Sequence, residues 1–147
     1  MKLTNGNMWS AYPQADLFLI TTNSTLKNDG CLVMGKGIAL EAAQRFPTLP
    51  HKLGIAVTRE GATYGLLIAK NWPTAKIGAF QVKTDWRKPA LPELIALSTQ
   101  MLIDWCANHP DAQVHLNFPG IGAGGLYAGL VLTIIQELPD TVTVWRK

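Results

Sequence analysis

One stretch constrains the fold more than any other: Asn28 to Arg45, NDGCLVMGKGIALEAAQR, a glycine-rich loop that runs straight into a helix. The apolar run Leu17, Phe18, Leu19, Ile20 lies just before it, so the local order is strand, loop, helix. Gly30, Gly35 and Gly37 let the backbone turn tightly and come close to a ligand, where a Cβ would intrude. The helix that follows aims its free N–H groups and positive dipole end at the same place, which suits a phosphate. Gly30 to Gly37, GCLVMGKG, nearly satisfies G-x-x-x-x-G-K-[ST], but Gly37 stands where that pattern needs a hydroxyl for Mg²⁺. The missing hydroxyl argues against a nucleotide triphosphatase and leaves phosphate binding intact. For this loop alone, a tight turn packed on the sheet explains the glycines as well as a ligand does.

A second unit of the same kind, Pro119 to Leu126 (PGIGAGGL), sits between a strand and a helix near the C-terminus. Gly120, Gly122 and Gly125 satisfy G-x-G-x-x-G literally. A dinucleotide site also needs an acidic residue at the end of the next strand, and that strand ends in Trp145-Arg146-Lys147. A dinucleotide fold is therefore disfavoured. So many glycines lose much chain entropy on folding, which favours a ligand at the backbone as their cause. Two phosphate-friendly loops in one chain suggest a diphosphate.

The rest of the chain reads in order as follows. Leu3 to Met8 is a short strand interrupted by a turn-prone Asn5-Gly6-Asn7, Ala11 to Gln14 is a connector, and Asp16 to Thr22 is a buried strand. The first helix covers residues 36–46, with Pro47 ending it. Gly54 to Thr58 and Tyr64 to Ala69 read as paired strands around a turn from Arg59 to Thr63, and Trp72-Pro73 breaks the run. Ile77 to Lys83 is a further strand. Pro89 and Pro92 open a helix to Ala107 whose stripe Leu94, Leu97, Met101, Trp105 is expected to face the core. Val114 to Phe118 is a strand, Tyr127 to Leu138 a helix and Val142 to Trp145 the last strand. Alternating strands and helices over the second half predict an α/β domain with helices on both faces of a mixed sheet. At 147 residues, 48% of them hydrophobic, the chain is expected to form one domain, residues 1–147.

Charge and cysteine usage narrow the function classes. The net charge of +3 suits an anionic small ligand and does not exclude nucleic acid. Cys31 and Cys106 are far apart and His51, His109 and His115 are scattered, so no metal site is expected and a reduced, cytoplasmic setting is the simpler reading. No apolar run approaches the roughly 20 residues of a membrane helix, and the N-terminus has no signal-peptide core. Phe80 to Arg87, FQVKTDWR, places Lys83 and Asp85 at a strand end. A lysine there can attack a sugar carbonyl carbon if burial lowers its pKa. Taken from this segment alone, a solvated surface charge is the commoner meaning of such a lysine.

Together these pieces resemble the macro domain family of ADP-ribose-binding modules. The resemblance is carried by NGNM (Asn5 to Met8), TTN (Thr21 to Asn23), VMGKGIAL (Val33 to Leu40), FQVKTDWR and PGIGAGGL. It is nearest to the branch of ADP-ribosyl glycohydrolases that includes DNA-deribosylating antitoxins and terminal ADP-ribose glycohydrolase. It implies a three-layer α/β/α sandwich with a mixed central sheet and ADP-ribose lying across the top of that sheet. It implies no cofactor and no metal.

Residue by residue, the resemblance sets Asn7 and Met8 by the adenine and Thr22 and Asn23 by the distal ribose. Met34, Gly35, Lys36, Gly37 and Ile38 line the diphosphate and distal ribose from one side; Pro119, Gly120, Ile121, Gly122, Ala123, Gly124, Gly125 and Leu126 close from the other. Lys83, with Asn23, matches the catalytic position of the glycohydrolase branch: it attacks C1″ or stabilises the opened sugar. The segment departs from the branch pattern at Gln81 and Val82, and the late loop reads Gly125-Leu126-Tyr127 where related hydrolases carry an acid–base Asp. Asp29 and Asp85 are the candidates to replace it. The implied function is binding of ADP-ribose with hydrolysis of an ADP-ribosyl linkage on protein, nucleic acid or a small derivative such as ADP-ribose-1″-phosphate. The competing reading is a non-catalytic ADP-ribose reader or scavenger.

Overall fold

The computed structural model of the chain describes residues 1–68 and 76–147. Six strands form one sheet: β1 (Lys2–Asn5), β2 (Leu17–Thr22), β3 (Leu66–Ile68), β4 (Ile77–Gln81), β5 (Val114–Asn117) and β6 (Val142–Arg146). Their order across the sheet is β1-β6-β5-β2-β4-β3. All neighbours are parallel except β3, which runs antiparallel to β4 at one edge. Four α-helices accompany them: α1 (Gly37–Arg45), α2 (Leu49–Glu60), α3 (Pro92–Asn108) and α4 (Ala128–Ile135).

The alternation of β2 explains the layering. Phe18 and Ile20 point to one face, where they join Trp9, Ala42, Leu49, Leu53 and Val57 from the first half of the chain. Leu17 and Leu19 point to the other and meet Ile95, Leu102, Val131 and Ile135 from α3 and α4. A strand buried on both faces must be apolar at every position, which is why LFLI reads as a continuous run. The result is a mixed sheet sandwiched between helical layers, α/β/α, as expected from the sequence.

Three local expectations fail. The segment expected as a strand from Gly54 to Thr58 is the interior of α2. Pro50 sits in the first turn, and Leu49, Leu53, Ala56 and Val57 bury one helical face while Ile55 stays exposed. Gly54 is small for packing: a Cβ there would lie 1.8 Å from the Gly30 carbonyl oxygen. The strand expected from Tyr64 to Ala69 begins at Leu66, pairing with β4 and not with Gly54 to Thr58; Ala69 and the Trp72-Pro73 break lie outside the described residues. In α3 the buried stripe is Leu94, Ile95, Ser98, Leu102 and Cys106, so Leu97 is exposed and Met101 and Trp105 are half-buried. The connector after β1 is a 3₁₀ helix, Met8–Gln14, capped by the Asn7 side chain. Among the described residues no helix is long and apolar enough to cross a membrane.

Candidate functional site

The C-terminal ends of the parallel strands open into a cleft of about 570 Å³. Helices α1 and α2 follow β2 on one face, while α3 and α4 flank β5 on the other, so the loops after these adjacent strands diverge. Ligands of open α/β sheets bind at such a divergence. The cleft extends well beyond it. Asn7 follows β1 and Lys83 follows β4, four strand spacings apart in the sheet order, or roughly 19 Å at the usual inter-strand distance. That span fits an elongated ligand with a middle and two ends.

The middle is formed by the two glycine loops. Met34, Gly35, Lys36, Gly37 and Ile38 come from one side, and Gly120, Ile121, Gly122, Ala123 and Gly124 from the other. The first turn of α1 has no side-chain cap, so its leading N–H groups are open to the cleft. Two kinds of glycine are present. At Gly120, φ is +76° and a Cβ would sit 2.6 Å from Ile95 Cδ1, so conformation and packing both require glycine. At Gly35 φ is not positive and a Cβ would meet nothing within 4 Å. Neither backbone conformation nor protein packing demands glycine at Gly35; what its missing side chain leaves open is the cleft.

Lys83 stands at the β4 end. Its ammonium Nζ donates to the carbonyls of Trp86 (3.3 Å) and Ala123 (3.4 Å), tying the β4 loop to the late glycine loop. Partial burial, then the charge of Lys36, push its pKa below the ordinary lysine value, against a smaller opposing effect of Asp85. Gln81, fully buried, anchors this lysine: its Nε2 donates to the Lys83 carbonyl (3.2 Å) and the Ala62 carbonyl (2.7 Å), and its Oε1 accepts from the Tyr64 and Gly65 amides. The departure at Gln81 thus has a structural purpose here.

Asn23 lines the cleft beside Thr22 and is itself buried. Its Nδ2 donates to the Val33 carbonyl (3.0 Å) and its Oδ1 accepts from the Thr25 amide (2.9 Å), so the side chain holds the loop that carries Met34 and Gly35. Tyr64, buried beneath, donates its hydroxyl to the Asn23 carbonyl (2.6 Å), and Thr22 bonds the same hydroxyl. Burial drives the Tyr64 pKa upward, so the phenol stays a neutral donor.

The β1 end is built differently. Asn7 and Met8 line it, beside Ile38, Phe118, Trp145, Arg146 and Lys147. Among the described residues Glu41 is the one acidic side chain of the lining, and it is held at this end: it accepts from Trp9 Nε1 (2.9 Å) and pairs with Lys147 Nζ (3.4 Å). The two carboxylates considered as acid–base partners are elsewhere. Asp85 forms a bidentate pair with Arg87, which holds its pKa at about 2, and Asp29 accepts from the Cys31 amide, which lowers its own; neither lines the cleft.

Three expected residues, Pro119, Gly125 and Leu126, do not line the cleft. Gly125, at φ +73°, caps the 3₁₀ turn of the late loop, and the Leu126 amide bonds back to the Gly120 carbonyl while its side chain packs into the core. Sequence reasoning missed Glu41, Trp86, Asn117, Trp145 and Arg146. Asn117 ends β5 and clamps Thr21, accepting from its amide (3.0 Å) and donating to its hydroxyl (2.8 Å). A polar residue ending a buried strand was the available signal for Asn117, and Trp86 lies in the FQVKTDWR segment beside Lys83; Glu41, Trp145 and Arg146 reach the cleft only through the tertiary fold.

No family model matches the chain, and no curated protein sequence matches it. Solved structures do. The macrodomain of Thermus aquaticus DarG superposes with a TM-score of 0.75 at 26% identity, covering 98% of this chain and 95% of that one. The macrodomain of Mycobacterium tuberculosis DarG gives 0.72 at 27% identity, over 99% and 97%. Thermosipho africanus DarTG, solved in complex with ADP-ribose, gives 0.74 at 16% identity, over 99% of this chain and 41% of that one. Along nearly its whole length the chain has the fold of these proteins.

Proposed function

We propose that this chain, a macrodomain by fold and similar to the macrodomains of DarG, binds ADP-ribose and cleaves an ADP-ribosyl bond. The observation that carries the reading is the cleft itself: two glycine loops at its centre, and a partly desolvated lysine at one end. The diphosphate would lie in the middle, against the N–H groups of α1 and of the late loop, where Lys36 adds a positive charge. The flat base would take the β1 end among Met8, Ile38 and Trp145, leaving the distal ribose beside Asn23 and Lys83. The ADP-ribose complex of the DarTG protein supports the choice of ligand.

In the proposed reaction the neutral Lys83 amine bonds to C1″ as the bond from C1″ to the leaving group breaks. The proton released by the nitrogen goes to the leaving group. Water then displaces the amine, giving free ADP-ribose and restoring Lys83. Partial burial and the nearby Lys36 favour the neutral amine this step needs.

Lys83→Ala tests the catalytic part. Release of ADP-ribose from modified protein, modified DNA and ADP-ribose-1″-phosphate is expected to fall by about 10²–10⁴, while ADP-ribose binding changes only a few-fold. Unchanged turnover removes Lys83 from the mechanism. One observation favours the competing reading, a reader without turnover: Glu41, the acidic side chain of the lining, is paired at the end away from Lys83. Wild type that binds ADP-ribose but releases none from any of the three substrates selects that reading.

A further inference from the structure

The Trp145 indole, part of the wall at the β1 end of the cleft, is held by a histidine that does not itself line the cleft. Trp145 Nε1 donates to His115 Nδ1 (2.9 Å), and the ring centroids are 5.9 Å apart. β5 and β6 are parallel neighbours in which His115 faces Thr143, so Trp145, two residues on, rises from the same side of the sheet nearer the loops. The ring also lies against Gly6, where a Cβ would sit 3.7 Å from Trp145 Cζ3. An indole N–H only donates, so His115 Nδ1 must present its lone pair. The imidazole is therefore neutral, with its hydrogen on Nε2. A protonated His115 turns an N–H toward the indole N–H, and the bond is lost. Burial lowers the His115 pKa from its ordinary 6.5, which keeps the ring neutral at pH 7. The titratable groups around it are Tyr12 of the 3₁₀ helix with Lys76 bonded to its carbonyl, Asp16 before β2, Lys2 of β1, and Glu41 and Arg45 of α1 against Trp9. Arg146 alternates to the other side of the sheet, over the Phe118 ring. None of these charges adds to the effect of burial on His115.

We infer that neutral His115 is a positioning residue that fixes the Trp145 indole as a wall for the base, so that acid frees this wall and weakens ligand binding. The inference rests on the proposed placement of the base at this end. The other two histidines are not part of the site: His51 lies in α2, His109 caps α3, and neither lines the cleft. Two variants separate the acceptor from the proton. His115→Asn offers an amide oxygen near the place of Nδ1 and does not titrate, whereas His115→Phe keeps a ring and removes the acceptor.

The test is calorimetry with ADP-ribose from pH 8 to pH 4.5 on wild type and both variants, with a thermal melt of each protein at both ends of the range. The Trp145 indole N–H, assigned with Trp145→Phe, is followed over the same range by NMR on the free proteins. Wild-type affinity is expected to fall by about fivefold, the size of one neutral hydrogen bond, with the indole resonance moving at the same midpoint below pH 6.5. His115→Asn should bind as wild type does at pH 8 and lack the step, and its pH profile carries any effect of acid on the ligand or on carboxylates. His115→Phe should bind about fivefold more weakly at pH 8, again without the step. A step that His115→Asn retains, the absence of a wild-type step, a stationary indole resonance, or wild-type affinity in His115→Phe overturns the inference. Should wild type bind no ADP-ribose at pH 8, the proposed function fails and the inference with it; binding without a step due to His115 sinks the inference alone.

Discussion

Gly35 separates a ligand cradle from a packing turn, because the two roles predict opposite signs for one substitution. Consider Gly35→Val. The backbone φ there is not positive and a Cβ would meet no protein atom within 4 Å apart from its chain neighbours, so the backbone accepts a side chain there. Losing a glycine restricts the unfolded chain, which for Gly→Ala stabilises by about 0.4–1 kcal/mol; a branched residue in an exposed loop should stay within about 1 kcal/mol of wild type. For a chain of this size that is a melting shift of about 2–4 °C at most. Binding should move much further. Three carbons would occupy the space in which a phosphate approaches the backbone of the first glycine loop. Each charge-assisted hydrogen bond lost costs about 1.5–3 kcal/mol, and displacing the ligand from one such bond weakens affinity by about 10- to 200-fold. The assay pairs a thermal melt of the free protein with ADP-ribose calorimetry on the same sample. An unchanged affinity, or a free protein destabilised by several kcal/mol, refutes the view that this loop is kept open for a ligand.

Further outcomes follow from the same structure. Gly120→Ala is the packing counterpart: a positive φ and a Cβ 2.6 Å from Ile95 Cδ1 should together destabilise by about 2–4 kcal/mol in urea unfolding. Gln81→Leu leaves the buried Tyr64 and Gly65 amides without their acceptor and two part-buried carbonyls without their donor, an expected loss of about 2–4 kcal/mol by the same method. Lys36→Met removes the second cause of the lowered Lys83 pKa, so the rise of turnover with pH should move to higher pH; an unmoved profile means that the titrating group is not Lys83. The Asp85–Arg87 pair depresses the Asp85 pKa from 3.8 to about 2, so its contribution is present above the unfolded value and is lost only as pH falls toward 2. A carboxyl titration of Asp85 by NMR with a midpoint near 4 would contradict the pairing.

The parts of this architecture visible in the sequence are those encoded by short-range chemistry. LFLI announces a strand covered on both faces, and GKG followed by IAL announces a loop that becomes a helix. Ile55, Val57 and Thr58 carry strand-like propensity that hides α2 locally, while its helical face is set by packing of Leu49, Leu53 and Ala56 in the core. The α3 stripe was displaced because Leu97 satisfies helical spacing yet faces outward; Ser98, which the pattern passed over, is buried and donates to the Gly65 and Gln81 carbonyls. At the site, the glycine loops and Lys83 carry local signals. Trp145, Arg146 and Glu41 carry none, since they meet Asn7 only because β6 pairs with β1 and α1 crosses toward that edge. The double occupation of the Asn23 amide was equally invisible, being a property of where the loop from Asn23 to Gly35 returns.

The central claim is that the cleft binds ADP-ribose, and titration calorimetry of the wild-type chain with ADP-ribose tests it most directly. The account predicts one site per chain, with adenosine and ribose-5-phosphate, each lacking the diphosphate bridge, binding at least tenfold more weakly. No heat at millimolar ADP-ribose, or equal affinity for the fragments, would contradict it.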